Sequence, residues 1–208
     1  MKKILYIFIA LAIVASCSSK DKAKVALTLP DAADSTEIVV TKLVLNKINV
    51  VDTLYVQGNK LNFEAACVPG APDFYYFYHK DNKIGSLVLQ SGDNIGATLS
   101  IKDGISDITG SDESVKYAQI DKENDRIARE VIALVVEITK AQEAEDEAKS
   151  KSLSQDLSKL YVKHKQNSIK YIYSNPKSIT VIPVMYQRLS ADLPLFGDIN
   201  DVFIFKSI

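Results

Sequence analysis

The residues of this chain best suited to acid–base, nucleophilic or metal chemistry are His79, His164, Cys17 and Cys67, and their spacing selects none of these chemistries. A zinc site needs clustered ligands at short intervals, and neither histidine has a cysteine nearby. C-x-x-C, H-E-x-x-H, G-x-S-x-G and the P-loop are all missing from the sequence. A Ser–His–Asp arrangement would have to recruit His79 or His164, and no serine or carboxylate stands at a spacing that picks it out. The reading is of a chain with no catalytic residue, no metal and no cofactor. His164 falls on an apolar helical stripe and reads as a packed or hydrogen-bonded histidine. Cys67, at a strand end, reads as a small core residue. The remaining cluster is aromatic, the run Phe74–His79. Alternation puts Phe74, Tyr76 and Tyr78 on one face of a strand, with Tyr75, Phe77 and His79 on the other. Two aromatic faces suit a central strand covered on both sides. Phe74, Tyr76 and Tyr78 are also the candidate ligand surface, since exposed rings stack on a sugar or a peptide.

Cys17 has a different chemistry in view. Lys2 and Lys3 precede an almost unbroken apolar run, Ile4–Ala15, too short for a comfortable membrane span. Val14-Ala15-Ser16-Cys17 resembles a bacterial lipobox, where a signal peptide is cut and the new N-terminal cysteine acylated. That resemblance implies a signal peptide over 1–16 and lipidation at Cys17. It also implies an envelope protein anchored to a membrane through lipid, at the outer membrane facing the periplasm. More than one acyl chain is needed for a stable hold. With Cys17 acylated, Cys67 has no intramolecular disulfide partner. The net charge is −1, with acidic and basic residues interspersed, so nucleic acid is not an expected partner.

Around these residues the chain divides into a short polar tether, 17–24, a β-domain over 25–110 and a helical region over 111–208. Val25–Leu29, Glu37–Leu43, Ile48–Val56, Lys60–Ala65, Phe74–His79, Ile84–Gln90, Ile95–Ile101 and Ile105–Thr109 are strand candidates separated by turn residues. Such regular spacing predicts an antiparallel β-sandwich or open barrel. From Ser114 to about Gln142, Ile120, Ile127, Val131, Leu134, Val135 and Ile138 recur at helical spacing. A second stripe follows from Leu153 to Ile172. One continuous helix would run about 90 Å and leave its stripe uncovered, so a helical hairpin turning near Asp146–Ser152 is expected. Ser178–Ser190 reads as a further short helix. Phe203, Ile204, Phe205 and Ile208 leave an apolar run at the last residues, the pattern of a domain with something after it. The fold class is therefore α+β, sheets first and helices second.

This layout resembles the N-terminal region of TlpA-like thiol-disulfide oxidoreductase lipoproteins, in which a β-domain and a helical segment precede a thioredoxin domain. The pieces that carry the resemblance are Ser91-Gly92-Asp93-Asn94-Ile95, Asp107-Ile108-Thr109-Gly110-Ser111 and Tyr173-Ser174-Asn175-Pro176-Lys177-Ser178, within Val25–Ile208. The chemistry of that family rests on a low-pKa cysteine in C-x-x-C, which these residues lack, so no catalytic residue is carried over. The resemblance implies a non-catalytic accessory or binding module with an envelope protein as partner. The alternatives are the front half of a truncated or split oxidoreductase, or a carbohydrate- or peptide-binding lipoprotein.

Overall fold

The computed structural model describes residues 21–45, 47–190, 193–198, 201 and 204. The segment 1–16 expected to be a signal peptide, Cys17, Phe203, Phe205 and Ile208 lie outside them. The chain forms two units, 1–114 and 115–208.

The first unit holds eight strands: β1 (Lys22–Thr28), β2 (Glu37–Val44), β3 (Lys47–Tyr55), β4 (Lys60–Ala66), β5 (Asp73–His79), β6 (Asn82–Leu89), β7 (Asn94–Ser100) and β8 (Gly104–Thr109). They make two four-stranded sheets, in the orders β4-β1-β7-β8 and β3-β2-β5-β6. All eight expected strands are present, and the sheets remain open rather than closing into a barrel. Every pairing is antiparallel except β1 with β7.

Strand β1 begins at Lys22, inside the segment expected to be a tether. Its lysines point outward while Ala23 and Val25 are buried, so polarity alone disguised the alternation. Period-two burial likewise sends Leu61, Phe63 and Ala65 of β4 inward. With Ile38 and Val40, Tyr75 and Phe77, Leu87 and Leu89, and Ile95 and Leu99 they form one core shared by both sheets. Cys67 is part of that core. The turn after β3 uses Gly58 and Asn59 at φ 56° and 59°, with Gln57 and Lys60 exchanging backbone hydrogen bonds at 3.0 and 3.1 Å. Two successive positive φ angles are what a two-residue hairpin turn demands, and Gly and Asn tolerate them best.

Helix α1 (Asp112–Glu143) crosses from the first unit into the second, where α2 (Glu147–Ser174) and the short α3 (Val181–Met185) follow. Ser111 Oγ accepts from Ser114 N at the start of α1, and Asp112 and Glu113 sit at its positive end. The turn to α2 comes at Ala144–Asp146, earlier than Asp146–Ser152. Glu145 N donates to Gln142 O at 3.1 Å and Asp146 N to Ala141 O at 2.8 Å, the paired bonds of a Schellman ending. Glu145 takes the left-handed position, φ 54°, that glycine usually fills. That is why no glycine marked the turn in the sequence. Asp146 then caps α2 by accepting from Lys149 N at 2.9 Å.

Ile120, Ile127 and Val131 of α1 meet Ile172 of α2 and Val181 and Val184 of α3 in a second core. The helix expected to reach Ser190 ends at Met185. Arg188–Ser190 is instead a short strand, β9, paired with β10 (Leu193–Pro194). Among the described residues no helix is long and apolar enough to cross a membrane.

Candidate functional site

Strand β5 lies between β2 and β6, as its two-sided aromatic sequence suggested. Val40 stands opposite Phe77, and both are in the core. Directly opposed residues share a face. The outward row therefore contains Val39 opposite Tyr78 and Thr41 opposite Tyr76. Phe74 belongs to that row too, but it is buried at 8 % exposure, while Tyr76 and Tyr78 are partly exposed. The three candidate ligand-surface residues thus share a face, on which Phe74 is buried and Tyr76 and Tyr78 are half-buried.

That face continues onto β3, where sequence reasoning found a strand but no site. Ile48 stands opposite Leu43, Val50 opposite Thr41 and Tyr55 opposite Glu37, all on the same outward row. Between Val50 and Asp52 the register slips at Val51, a bulge. Ile48, Val50 and Tyr55 are 55 %, 67 % and 54 % exposed. The outer row of a sandwich strand is ordinarily polar. Here Tyr78, Tyr76, Ile48, Val50 and Tyr55 share it with Glu37, Thr53 and a buried Thr41, and the Tyr55 hydroxyl donates to Glu37 Oε2 at 3.3 Å. The signal available in the sequence was the pair Val50-Val51 in a strand with too many apolar positions for one buried face.

The two edges of this sheet are treated differently. On β6, the Ser114 hydroxyl accepts from Val88 N at 3.1 Å and donates to Val88 O at 2.6 Å, standing in for a neighbouring strand. On β3, Asp52 Oδ1 accepts from its neighbour Thr53 N at 2.8 Å. Among the described residues no side chain covers the stretch Ile48–Val51 in this way.

The second unit contains a cavity of about 220 Å³ lined by residues including Glu123, Asn124, His164, Ser168, Tyr171 and Gln187. His164 and Ser168 share one face of α2, both 5 % exposed. Gln187 Nε2 donates to Asn124 Oδ1 at 2.6 Å, and Ser168 Oγ donates to Gln187 Oε1 at 3.1 Å. Burial pushes the His164 imidazole below its ordinary value, against the opposing pull of Glu123 and a hydrogen bond with Gln187. Glu123 is held down by the Arg126 guanidinium, which donates to both its oxygens at 2.9 and 2.8 Å. The serine beside His164 spends its proton on Gln187, so no nucleophile–base hydrogen bond is made there.

His79 is in the other unit, its Nδ1 3.1 Å from the backbone oxygen of Glu37. Cys67 Sγ lies 3.7 Å from Ala65 O, and burial pushes the thiol up, away from thiolate chemistry. No set of metal-ligating side chains gathers among the described residues.

No family model and no curated protein matches this chain.

Proposed function

We propose that this chain is a non-catalytic module of the bacterial cell envelope, lipid-anchored at Cys17, that binds a protein partner through its first unit. The observation that carries this reading is the group of exposed apolar and aromatic side chains Ile48, Val50 and Tyr55 on the outward row of β3, the row that Tyr76 and Tyr78 share across β2. Large apolar side chains exposed together on one strand mark interaction sites. The resemblance to the front of TlpA-like lipoproteins supports the envelope setting. The raised Cys67 thiol and the Ser168 proton spent on Gln187 beside His164 support a role without turnover.

The test is photo-crosslinking in intact cells from a benzoylphenylalanine placed at Tyr55, with Lys60 of β4 as the control site. Tyr55 should yield a discrete crosslinked protein band that is lost in a Cys17→Ser strain released from the membrane. No band above that from Lys60, or turnover by the purified chain in an insulin-reduction assay, overturns the reading.

A further inference from the structure

Two amphipathic helices of a hairpin are expected to meet through apolar side chains, and over part of their length α1 and α2 do not. Ile127 and Val131 of α1 are in the second core. Nearer the start of α1, the cavity wall is Gln119, Glu123 and Asn124 around Ile120. Three- and four-residue spacing keeps them on one side of the helix. The answering stripe of α2 is His164, Asn167, Ser168 and Tyr171, at the same spacing. Val184 of α3 and Gln187 complete the wall, and a cavity of about 220 Å³ remains. Close-packed interiors leave few voids larger than a water molecule. A hairpin built for stability alone would fill this space with aliphatic side chains, because buried polar groups cost free energy.

The polar groups are held in a fixed order. Ser168 Oγ donates to Gln187 Oε1 at 3.1 Å, and Gln187 Nε2 donates to Asn124 Oδ1 at 2.6 Å. Those bonds orient the Asn124 amide and leave its Nδ2 without a partner among the described residues. Every fully buried side-chain nitrogen and oxygen of the described residues has a partner, so this Nδ2 is not sealed away, and the surface Asn124 lines is the cavity. Gln119 and Asn167 are exposed, line the same cavity, and make no side-chain hydrogen bond among the described residues. Charge is answered within the wall. Both Glu123 oxygens accept from Arg126, Lys116 has an interaction of its own, and burial holds His164 neutral near pH 7. The cavity therefore presents amides and the aliphatic side chains of Ile120 and Val184, with no unanswered charge.

That lining selects a small uncharged molecule with hydroxyl groups on its edge and C–H bonds on its face. An amide sets a carbonyl acceptor beside N–H donors, and two adjacent hydroxyls, each both donor and acceptor, answer it as a pair. Volume sets the size. A cavity of about 150 Å³ holds benzene, so one of about 220 Å³ holds a six-membered ring carrying substituents. We propose that the cleft between α1 and α2 binds a neutral monosaccharide, held by the Asn124, Gln119 and Asn167 amides with Ile120 and Val184 against its C–H face. The site belongs to the second unit and stands independently of the partner surface on β3.

The experiment is a nitrogen–proton correlation NMR titration of the full chain in a polyoxyethylene detergent, which has no sugar headgroup. The probes are D-glucose, D-galactose and D-mannose, each with its uronate and its amino-sugar counterpart. At least one neutral sugar should shift the side-chain amide signals of Asn124, Gln119 and Asn167 saturably, with a Kd of about 1 mM or tighter. Its charged counterparts should bind about tenfold more weakly, because a charge would lose water there without gaining an opposite one. Gln119→Ala and Asn167→Ala should each weaken binding about tenfold, and both side chains are exposed and hold no structural bond. Asn124→Leu should abolish binding, with unchanged far-UV circular dichroism showing the variant folded. Gln155→Ala, on α2 outside the cavity lining, should bind as the parent does. No saturable shift with any of the three sugars, shifts confined to residues outside the cavity, or equal binding by a charged counterpart overturns the site. Undiminished binding to the double variant Gln119→Ala/Asn167→Ala overturns it as well.

Discussion

Ser114→Ala removes one oxygen atom and leaves two backbone groups of β6 without partners. Ser114 is fully buried and Val88 is 1 % exposed, so water does not simply replace the hydroxyl. An unsatisfied buried donor or acceptor costs about 1–3 kcal/mol each, and with some local relaxation the pair should cost about 2–4 kcal/mol. The chain has no tryptophan, so unfolding is best followed by far-UV circular dichroism in urea. With a slope of roughly 1–1.5 kcal/mol/M for a unit of this size, the transition of the first unit should move down by about 2 M. The amide of Val88 should exchange its hydrogen about 30- to 700-fold faster, the same free energy read locally. Ser154→Ala is the control, because that exposed hydroxyl bonds only within its own helix, to Ser150 O. A midpoint shift below about 0.3 M, with Val88 protection unchanged, would refute the claim that Ser114 closes this strand edge.

Two further outcomes follow from the second unit. His164 is held below its ordinary value, chiefly by burial. The unfolded chain therefore takes up a proton near pH 6.5 while the folded chain stays neutral, and stability is present above that pH and lost as pH falls through the folded value. The thermal midpoint of the helical unit should drop between pH 7.5 and pH 5.5, and His164→Asn should flatten that slope; an equal slope in both proteins would sink the assignment. Glu145 occupies a left-handed position that costs a side chain energy. Glu145→Gly should stabilise the hairpin by about 0.5–1 kcal/mol, and a lower urea midpoint would contradict the Schellman geometry.

Where one periodicity held over several residues, the sequence was legible. Leu61, Phe63 and Ala65 alternate cleanly, and β4 is where they put it. The stripe Ile120, Ile127 and Val131 marked α1 because each returns to the same side after whole turns. Legibility failed where a residue did something its type does not advertise. Glu145 made a glycine's turn, and Lys22 and Lys24 flanked a buried Ala23 in what looked like a linker. Arg188–Ser190 became a strand because Leu193–Pro194 offered a partner that no local pattern announces. The candidate face was half readable. Alternation placed Phe74, Tyr76 and Tyr78 together, but only the pairing of β5 with β2 and β2 with β3 shows that Tyr76 shares a row with Val50. Sheet order is a long-range property, and a single sequence holds no direct record of it.

The contrast between the two edges of that sheet is what gives the exposed face its meaning. An uncovered, apolar edge strand invites pairing with another chain, and folds normally blunt it with charge, a bulge or a cover. On β6 the cover is complete at Val88, made by a serine twenty-six positions along the chain. β3 carries weaker devices, a bulge at Val51 and the Asp52 carboxylate on Thr53 N, and leaves Ile48, Val50 and Tyr55 in solvent. A fold that closes one edge with a buried two-way hydrogen bond does not lack the means to close the other. Within the first unit, the exposed apolar side chains Ile48, Val50 and Tyr55 stand together on this one edge strand, and that grouping is what the binding-module proposal rests on.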